Sequence, residues 1–447
     1  MTHAAPIRSD DVELLHGPQA RAVVFDGATR TSAATLAARA RALVDRLPQG
    51  AALIPLCEDR GSFLTVLCAA ALRGQVLLLP AAPVPDVLAD LRRRHPDSQL
   101  LADAPGRHPQ AWVLPPLDMP ADGGGSLRLP AAQLAVVGFT SGSTGVPAAN
   151  AKAWGSFAIS TRQNLDALAD LWAGHGRADI VATVPAQHMY GMEMSVLLPL
   201  LGPLAVHAGR PFFPADIALA LSQAQAPRLL VTTPVHLRAL LASEVALPPL
   251  AGIISATAPL PQALAQAAEA RYHCELRELF GATETCIFAR RRTAREQRWT
   301  PFPGVRLVAA QGEGTQVQVP QRDVPVLLAD MLSCDAEGRF EVLGRQADLL
   351  EIAGKRASLA DLTRILLAVP GVEDAAMLQL DPDEAGVRRI AALVVAPHVA
   401  EPAILAALRN AIDPVFLPRP LLRVDALPRN ATGKLARADL LARIAGA

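Results

Sequence analysis

The chain has 447 residues, 51% of them apolar and only 4% aromatic, with 42 Lys plus Arg set against 42 Asp plus Glu. Such a length exceeds one compact core and predicts two or three domains, while a net charge of zero with no basic stripe excludes nucleic acid and anionic membranes as expected partners. Five cysteines without a C-x-x-C pair point to reduced thiols in a cytoplasmic setting, against a disulfide framework or a zinc site.

The segment MTHAAPIRSDDVELL lacks the apolar core of a secretory signal. The apolar runs Phe63–Leu72 and Met194–Val206 are too short for a bilayer or broken by Pro, so no membrane insertion is expected. A Gly-rich patch, Ala121–Ser126, reads as a loop. From there strands and helices alternate. Leu134–Phe139 reads as a buried strand, followed by a Ser/Thr/Gly loop and a helical pattern over Ser156–Trp172. Ile180–Val184 reads as a strand, Met192–Leu201 as a helix, Arg228–Thr232 as a strand, Val235–Ser243 as a helix and Gly252–Ala256 as a strand. Gln262–Tyr272 reads as a helix and Glu275–Phe280 as a strand entering a Gly turn. This alternation predicts an α/β fold: a large N-terminal domain of helix-covered, largely parallel sheets, with ligands at the carboxyl ends of the strands. Past Val324 the pattern changes. A strand at Phe340–Leu343, a helix at Leu359–Leu367, strands at Ala375–Leu380 and Arg389–Val395 and a helix at Pro402–Ala411 predict a small α+β domain. The boundary is placed at 345–348, giving domains 1–344 and 349–447.

Only three of the 42 cationic residues are lysines, namely Lys152, Lys355 and Lys434, and each lies in a short Gly-containing segment. A chain that otherwise uses Arg keeps Lys where a compact ammonium on a flexible stem is needed. Four segments carry chemistry. In FTSGSTGVPAANAKAW, Gly142 and Gly145 let the backbone turn while Thr140, Ser141, Ser143 and Thr144 offer hydroxyls, so the loop can wrap a polyphosphate; a flexible Ser/Gly linker is the plain alternative. In ELFGATET a Gly turn presents Thr283 and Glu284. A carboxylate beside phosphates suits Mg²⁺, although a T-E pair also serves as a helix cap. Asp330 and Arg345 can hold a nucleotide ribose, or be surface charges. Lys434 follows Gly433 in LPRNATGKLARADL, as a catalytic cation or as a solvated Lys.

In this order and spacing the segments resemble the adenylate-forming superfamily of acyl- and aryl-CoA synthetases, peptide-synthetase adenylation domains and luciferases, from about Thr31 onward. The resemblance implies that the Ser/Thr/Gly loop, with Lys152 in place of the usual lysine at Ala148, binds the ATP phosphates. It implies that Thr283 and Glu284 touch the α-phosphate and Mg²⁺, that Asp330 and Arg345 bind ribose, that Ala258 lies in the Ser255–Pro261 segment flanking adenine, and that Phe280 and Gly281 also bind ATP. Lys434 would bridge the carboxylate and the α-phosphate. PAQHMYG resembles the segment whose His, here His188, lines the acyl site with Met192 and Ser255. Gly354, Lys355 and Arg356 would border the thiol tunnel, and Ala347 would stand at the hinge between the large domain and a mobile lid. The short N-terminal domain, the G-x-P…K-x-W variant, Cys57–Pro80 and Gly354–Leu359 resemble small ligases of bacterial aryl-polyene and xanthomonadin-type pigment clusters. Those load a hydroxybenzoate-like acid onto the phosphopantetheine thiol of an acyl carrier protein. The implied alternatives are an aryl- or acyl-CoA synthetase and a non-catalytic nucleotide-binding relative. An amino-acid-activating domain is disfavoured, because Met189-Tyr190-Gly191 offers no carboxylate for a substrate ammonium.

Overall fold

A computed structural model describes residues 11–80, 82–106, 108–116, 125–140, 148–310, 314–345, 349–352, 355–381, 389–430, 433 and 435–446. By packing, the chain divides into two units. The first comprises Met1–Gln297, Phe302–Val305 and Val319–Asp323; the second comprises Arg298–Pro301, Arg306–Gln318 and Val324–Ala447.

The first unit holds two helix-covered sheets. In one, strands Leu204–His207, Ala178–Ala182, Arg228–Thr232, Gly252–Ser255 and Glu275–Ala282 lie side by side and parallel, and Cys286–Arg291 turns back antiparallel at one side. These strands read as unbroken apolar runs because helices cover both faces; Ile180, Val181, Leu229, Leu230, Ile253, Ile254 and Leu276 are fully buried. Helices Pro234–Ala242 and Gln262–Tyr272 return the chain between successive strands, the first opening with Pro at its N-terminal turn, where a missing N–H costs nothing.

The other sheet runs in the order Ala148–Ala153, Leu134–Thr140, Val76–Leu79, Ala52–Pro55, Ser98–Ala102, Trp112–Val113. All of its pairings are parallel except that of Ala148–Ala153 with Leu134–Thr140. Helix Arg60–Arg73 packs an almost wholly buried face between the layers, capped by Asp59, whose carboxylate accepts from Ser62 N–H at 2.6 Å, and closed by Gly74 at φ +78°. The guanidinium of Arg60 is buried with no carboxylate on it. It donates to the carbonyls of Ala182 at 2.8 Å and Val184, Gly209 and His207, and to Ser195 Oγ at 3.2 Å. Burial, followed by the nearby charge of Arg210, lowers its pKa to about 9.

In the second unit Leu349–Ile352 and Lys355–Ser358 form a hairpin. Strands Asp374–Gln379, Ile390–Val395 and Leu421–Arg423 make a sheet backed by helices Leu359–Leu367 and Glu401–Ala411, around Leu362, Leu366, Ala392, Ile404 and Leu408. Among the described residues no helix is long and apolar enough to cross a membrane.

Candidate active site

The ELFGATET segment is a β-hairpin: Glu275–Ala282 pairs antiparallel with Cys286–Arg291, which excludes the helix-cap alternative for Thr283 and Glu284. Its strands approach so closely that a Cβ on Gly281 would lie 2.4 Å from the Cys286 carbonyl oxygen and 2.6 Å from Ile287 Cα. Phe280 packs edge-on against Phe288 at 5.4 Å between centroids. Cys286 sits at φ +63°, a conformation that persists in a side-chain-bearing residue only where its surroundings enforce it.

The enforcing contacts are explicit. The Glu284 carbonyl accepts from Lys152 Nζ at 2.7 Å and Arg322 Nη1 at 3.3 Å. The Thr285 carbonyl accepts from Gln321 Nε2 at 2.7 Å, the Ala282 N–H donates to Thr285 Oγ1 at 3.1 Å, and the Ile287 N–H donates to the Glu193 carboxylate at 3.0 Å. The backbone of the turn is thus held from several sides. By contrast, no described residue forms a hydrogen bond or ion pair with the Thr283 hydroxyl or the Glu284 carboxylate.

Two other sequence segments meet this turn. A Cβ on Gly138, in the strand before the Ser/Thr/Gly loop, would lie 3.2 Å from Thr283 Cγ2 and 3.3 Å from Met189 Cε. Gly138 therefore brings that strand, the hairpin turn and the residue after His188 into contact. His188 is the N-cap of the short helix Met189–Met192, which continues into a π-helical turn, Glu193–Leu197, a feature frequent at functional sites. Gly191 is required here, since a Cβ would lie 1.9 Å from the Pro185 carbonyl oxygen. Of the phosphate-loop residues, Ser141, Gly142, Ser143, Thr144 and Gly145 lie outside the described residues; Thr140 ends its strand opposite Ala148. Beyond the loop the chain continues directly as a strand, Ala148–Ala153, which turns Asn150 and Lys152 inward. Asn150 Nδ2 is buried without a partner among the described residues. Lys152, expected to direct its charge at the phosphates, is 2% exposed, with its ammonium on the Glu284 carbonyl.

A polar cluster lines the carboxyl ends of the parallel strands. Thr183 Oγ1 lies 3.1 Å from Thr232 Oγ1 and 3.3 Å from His236 Nδ1, which is also 3.0 Å from Thr233 Oγ1. Nearby in the same sheet, Tyr190 Oη lies 2.9 Å from the Ile254 carbonyl and 3.2 Å from that of Thr232. Burial carries the Tyr190 pKa well above its ordinary value, so it remains a neutral donor. Ser255 Oγ and His236 Nε2 are buried with no hydrogen-bond partner among the described residues. Burial first, and Arg210 second, lower the His236 pKa to about 4, which keeps the imidazole neutral. Met192 is fully buried. The sequence offers Ser255 and Met192 for an acyl pocket. It did not single out His236, Thr183, Thr232 and Thr233, although T-T-P-x-H after a strand marks hydroxyls and a His at a helix start. Ala258 follows Thr257, a β-branched residue at φ +81°. The segment is tied to the hairpin by Glu278, whose carboxylate accepts from Leu260 N–H at 3.3 Å, Arg291 Nε at 2.7 Å and Thr293 Oγ1 at 2.6 Å.

In the second unit, Asp330 and Arg345, the two residues expected at a ribose, are direct cross-strand partners in the hairpin of Asp330–Cys334 with Phe340–Arg345. Lys355 pairs with Ile352 and Arg356 with Glu351. Ala347, Gly354 and Lys434 lie outside the described residues. The segment before Lys434 is anchored: Arg429 donates to the Gly433 carbonyl at 2.8 Å and is paired with Asp374 at 2.7 Å. Among the described residues no three His, Cys, Asp or Glu side chains converge to hold a metal; a lone free carboxylate such as Glu284 suits Mg²⁺, which takes one or two carboxylates together with phosphate oxygens.

Residues 92–313 match the family model of the AMP-binding enzyme. The chain is 32% identical over 299 residues to a 4-coumarate–CoA ligase of Rhodobacter capsulatus, covering 66% of this chain and 73% of that protein. It is 26% identical over 268 residues to a 3-hydroxybenzoate–CoA/4-hydroxybenzoate–CoA ligase of Thauera aromatica, covering 50% of each. Its fold superposes on the ATP-bound crystal structure of MatB from Rhodopseudomonas palustris with a TM-score of 0.79 at 20% identity, over 95% of this chain and 96% of that one. The chain belongs to the AMP-binding enzyme family and is an AMP-forming acid–thiol ligase.

Proposed function

We propose that this enzyme activates a small aryl carboxylic acid of hydroxybenzoate type as its acyl-adenylate and transfers the acyl group to the phosphopantetheine thiol of an acyl carrier protein. The observation that carries the adenylation half is the hairpin turn, whose backbone is clamped while no described residue engages the Glu284 carboxylate or the hydroxyl of Thr283, the residue beside Gly138. Side chains left free on a rigid turn are preorganised for charge that arrives with a ligand. The substrate carboxylate attacks the α-phosphorus of ATP, and the bond to pyrophosphate breaks. Lys434 places its ammonium between the two anions, Thr283 donates to the α-phosphate, and Ser141, Ser143 and Thr144 with their loop hold the β- and γ-phosphates. Asp330 and Arg345 bind the ribose hydroxyls, and Ala258, Phe280 and Gly281 border the adenine. Glu284 would hold Mg²⁺, which would supply positive charge against the phosphate oxygens when bound. The acceptor thiolate then attacks the acyl carbonyl and AMP leaves, after the lid has turned about residues 345–348 at Ala347 and brought Gly354, Lys355 and Arg356 to the thiol path.

The aryl substrate is supported by the names of the relatives, which act on 4-coumarate and hydroxybenzoates, and by the buried unpaired Ser255 Oγ and His236 Nε2. Such atoms can recognise a phenolic hydroxyl in an otherwise apolar slot with Met192 and His188. The carrier protein rests on the G-x-P…K-x-W signature. A second reading, free CoA as acceptor, is favoured by the relatives, which are CoA ligases.

The test is pyrophosphate release across a panel of benzoates, cinnamates, amino acids and fatty acids, followed by thioester formation with CoA and with holo-carrier protein. Hydroxybenzoates should be turned over fastest, and the carrier should be loaded in preference to CoA. Turnover of long fatty acids without benzoates rejects the substrate class. Efficient acyl-CoA formation without carrier loading rejects the acceptor.

A further inference from the structure

Two buried, oppositely charged side chains lie behind the Thr283–Glu284 turn, and the reaction as described uses neither directly. Lys152 comes from the strand after the phosphate loop, and Glu193 from the π-helical turn. The carboxylate of Glu193 is fully occupied: Oε2 accepts from Ser160 Oγ at 2.7 Å and Asn164 Nδ2 at 3.0 Å, and Ile287 N–H reaches Oε1 at 3.0 Å and Oε2 at 3.2 Å. Lys152 Nζ donates to the Glu284 carbonyl. The two charges therefore grip the hairpin on either side of Cys286, the residue held at φ +63°. Burial raises the Glu193 carboxyl pKa, opposed by its hydrogen bonds and by the charge of Lys152.

Burying an ammonium and a carboxyl is poor value for stability alone, since apolar residues of like volume usually serve as well. Its retention fits a demand for geometry. The same arrangement explains why an Arg-rich chain kept Lys here. Among the described residues the polar groups that meet Nζ are the Glu284 carbonyl and the Cys286 thiol, where a guanidinium would bring five donors.

We propose that Lys152 and Glu193 are positioning residues: a buried charge couple that fixes the Glu284 carbonyl and the Ile287 N–H, so that Lys152 acts on ATP through the turn and not by touching the phosphates. This rests on the reading of Thr283 and Glu284 as phosphate and Mg²⁺ residues.

The experiment uses the full chain and acid-dependent ATP–pyrophosphate exchange, with an acid accepted in the panel, across a Mg²⁺ titration. Lys152→Met should lower the exchange kcat about 10–100-fold, the range for residues that orient a ligand-bearing group, and raise the Mg²⁺ half-saturation concentration while ATP KM moves less than about threefold. Thioester formation from supplied acyl-AMP should be unchanged. The double variant Lys152→Met/Glu193→Gln carries no unpaired buried charge; it should regain the thermal midpoint but not the exchange rate. Recovery of both in the double variant, or a loss confined to ATP KM in Lys152→Met, overturns the proposal. So does exchange by Lys152→Met within about twofold of the parent while Glu284→Gln is crippled. If Glu284→Gln itself exchanges normally, the reading of the turn fails, and the couple falls with it.

Discussion

His236 offers a sharp test of how the polar cluster at the strand ends is built. Its imidazole is 5% exposed, with Nδ1 shared between two threonine hydroxyls, and burial with Arg210 lowers its pKa from 6.5 to about 4. Between these values the unfolded chain binds a proton that the folded chain refuses, so stability must rise with pH across this window and fall as pH drops through it. Linkage with those two values gives a loss of about 2 kcal/mol between pH 7 and pH 5, and about 3 kcal/mol once pH 4 is passed. His236→Asn keeps an acceptor near Thr233 and Thr183 but does not titrate. Whatever constant cost the substitution brings, the gap between wild type and variant should shrink by about 2 kcal/mol from pH 7 to pH 5. Urea unfolding at the two pH values, followed by far-UV circular dichroism, measures this. A gap independent of pH would show that the imidazole is solvated or charged in the native state, and would remove the neutral Nε2 from the list of groups facing an aryl acid.

Gly281→Ala must push a methyl into the Cys286 carbonyl; opening the hairpin should cost about 1–3 kcal/mol and displace Thr283 and Glu284, so pyrophosphate exchange should fall at least about tenfold, and normal exchange would mean that the turn is not close to the reacting atoms. Lys434→Ala should stop acyl-AMP formation, by about 10²–10³-fold, yet convert supplied acyl-AMP to thioester. Equal loss of both half-reactions, measured by exchange and by thioester formation, would refute a lid that changes position between the steps.

The parts of the fold that were legible in the sequence are those whose local pattern and tertiary role agree. Gln262–Tyr272 and Leu359–Leu367 form the helices their periodicity predicts, and Arg228–Thr232 is the buried apolar run that a central parallel strand requires. The strand Ala148–Ala153 was missed because AANAKA has little strand propensity; pairing with Val136 and Val137 and burial of Asn150 and Lys152 decide its state. The sequence placed the boundary at 345–348, whereas packing assigns everything from Val324, with Arg298–Pro301 and Arg306–Gln318, to the second unit. Those strands pair mainly with one another: Arg306–Ala310 with Gly314–Gln318, and Trp299 stacked on Phe340. Such pairing is invisible to local pattern. Motif spacing singled out Thr283 and Glu284, which the structure places at the turn of one hairpin, and Asp330 and Arg345, which it pairs across another. The acceptor of the Lys152 ammonium could not be read, since the Glu284 carbonyl comes from a distant segment.

The pairing of Thr140 with Ala148 bears on how this enzyme can be altered. A ladder of hydrogen bonds pins the two ends of the phosphate loop to adjacent strands of one sheet. The span the loop must bridge is therefore set by the sheet and not by the loop's own composition. Residues 141–147, which the sequence offers as a phosphate-binding segment, are thus a span whose two ends are fixed by strand pairing, and substitutions there can be compared with the flanking Thr140–Ala148 ladder left intact.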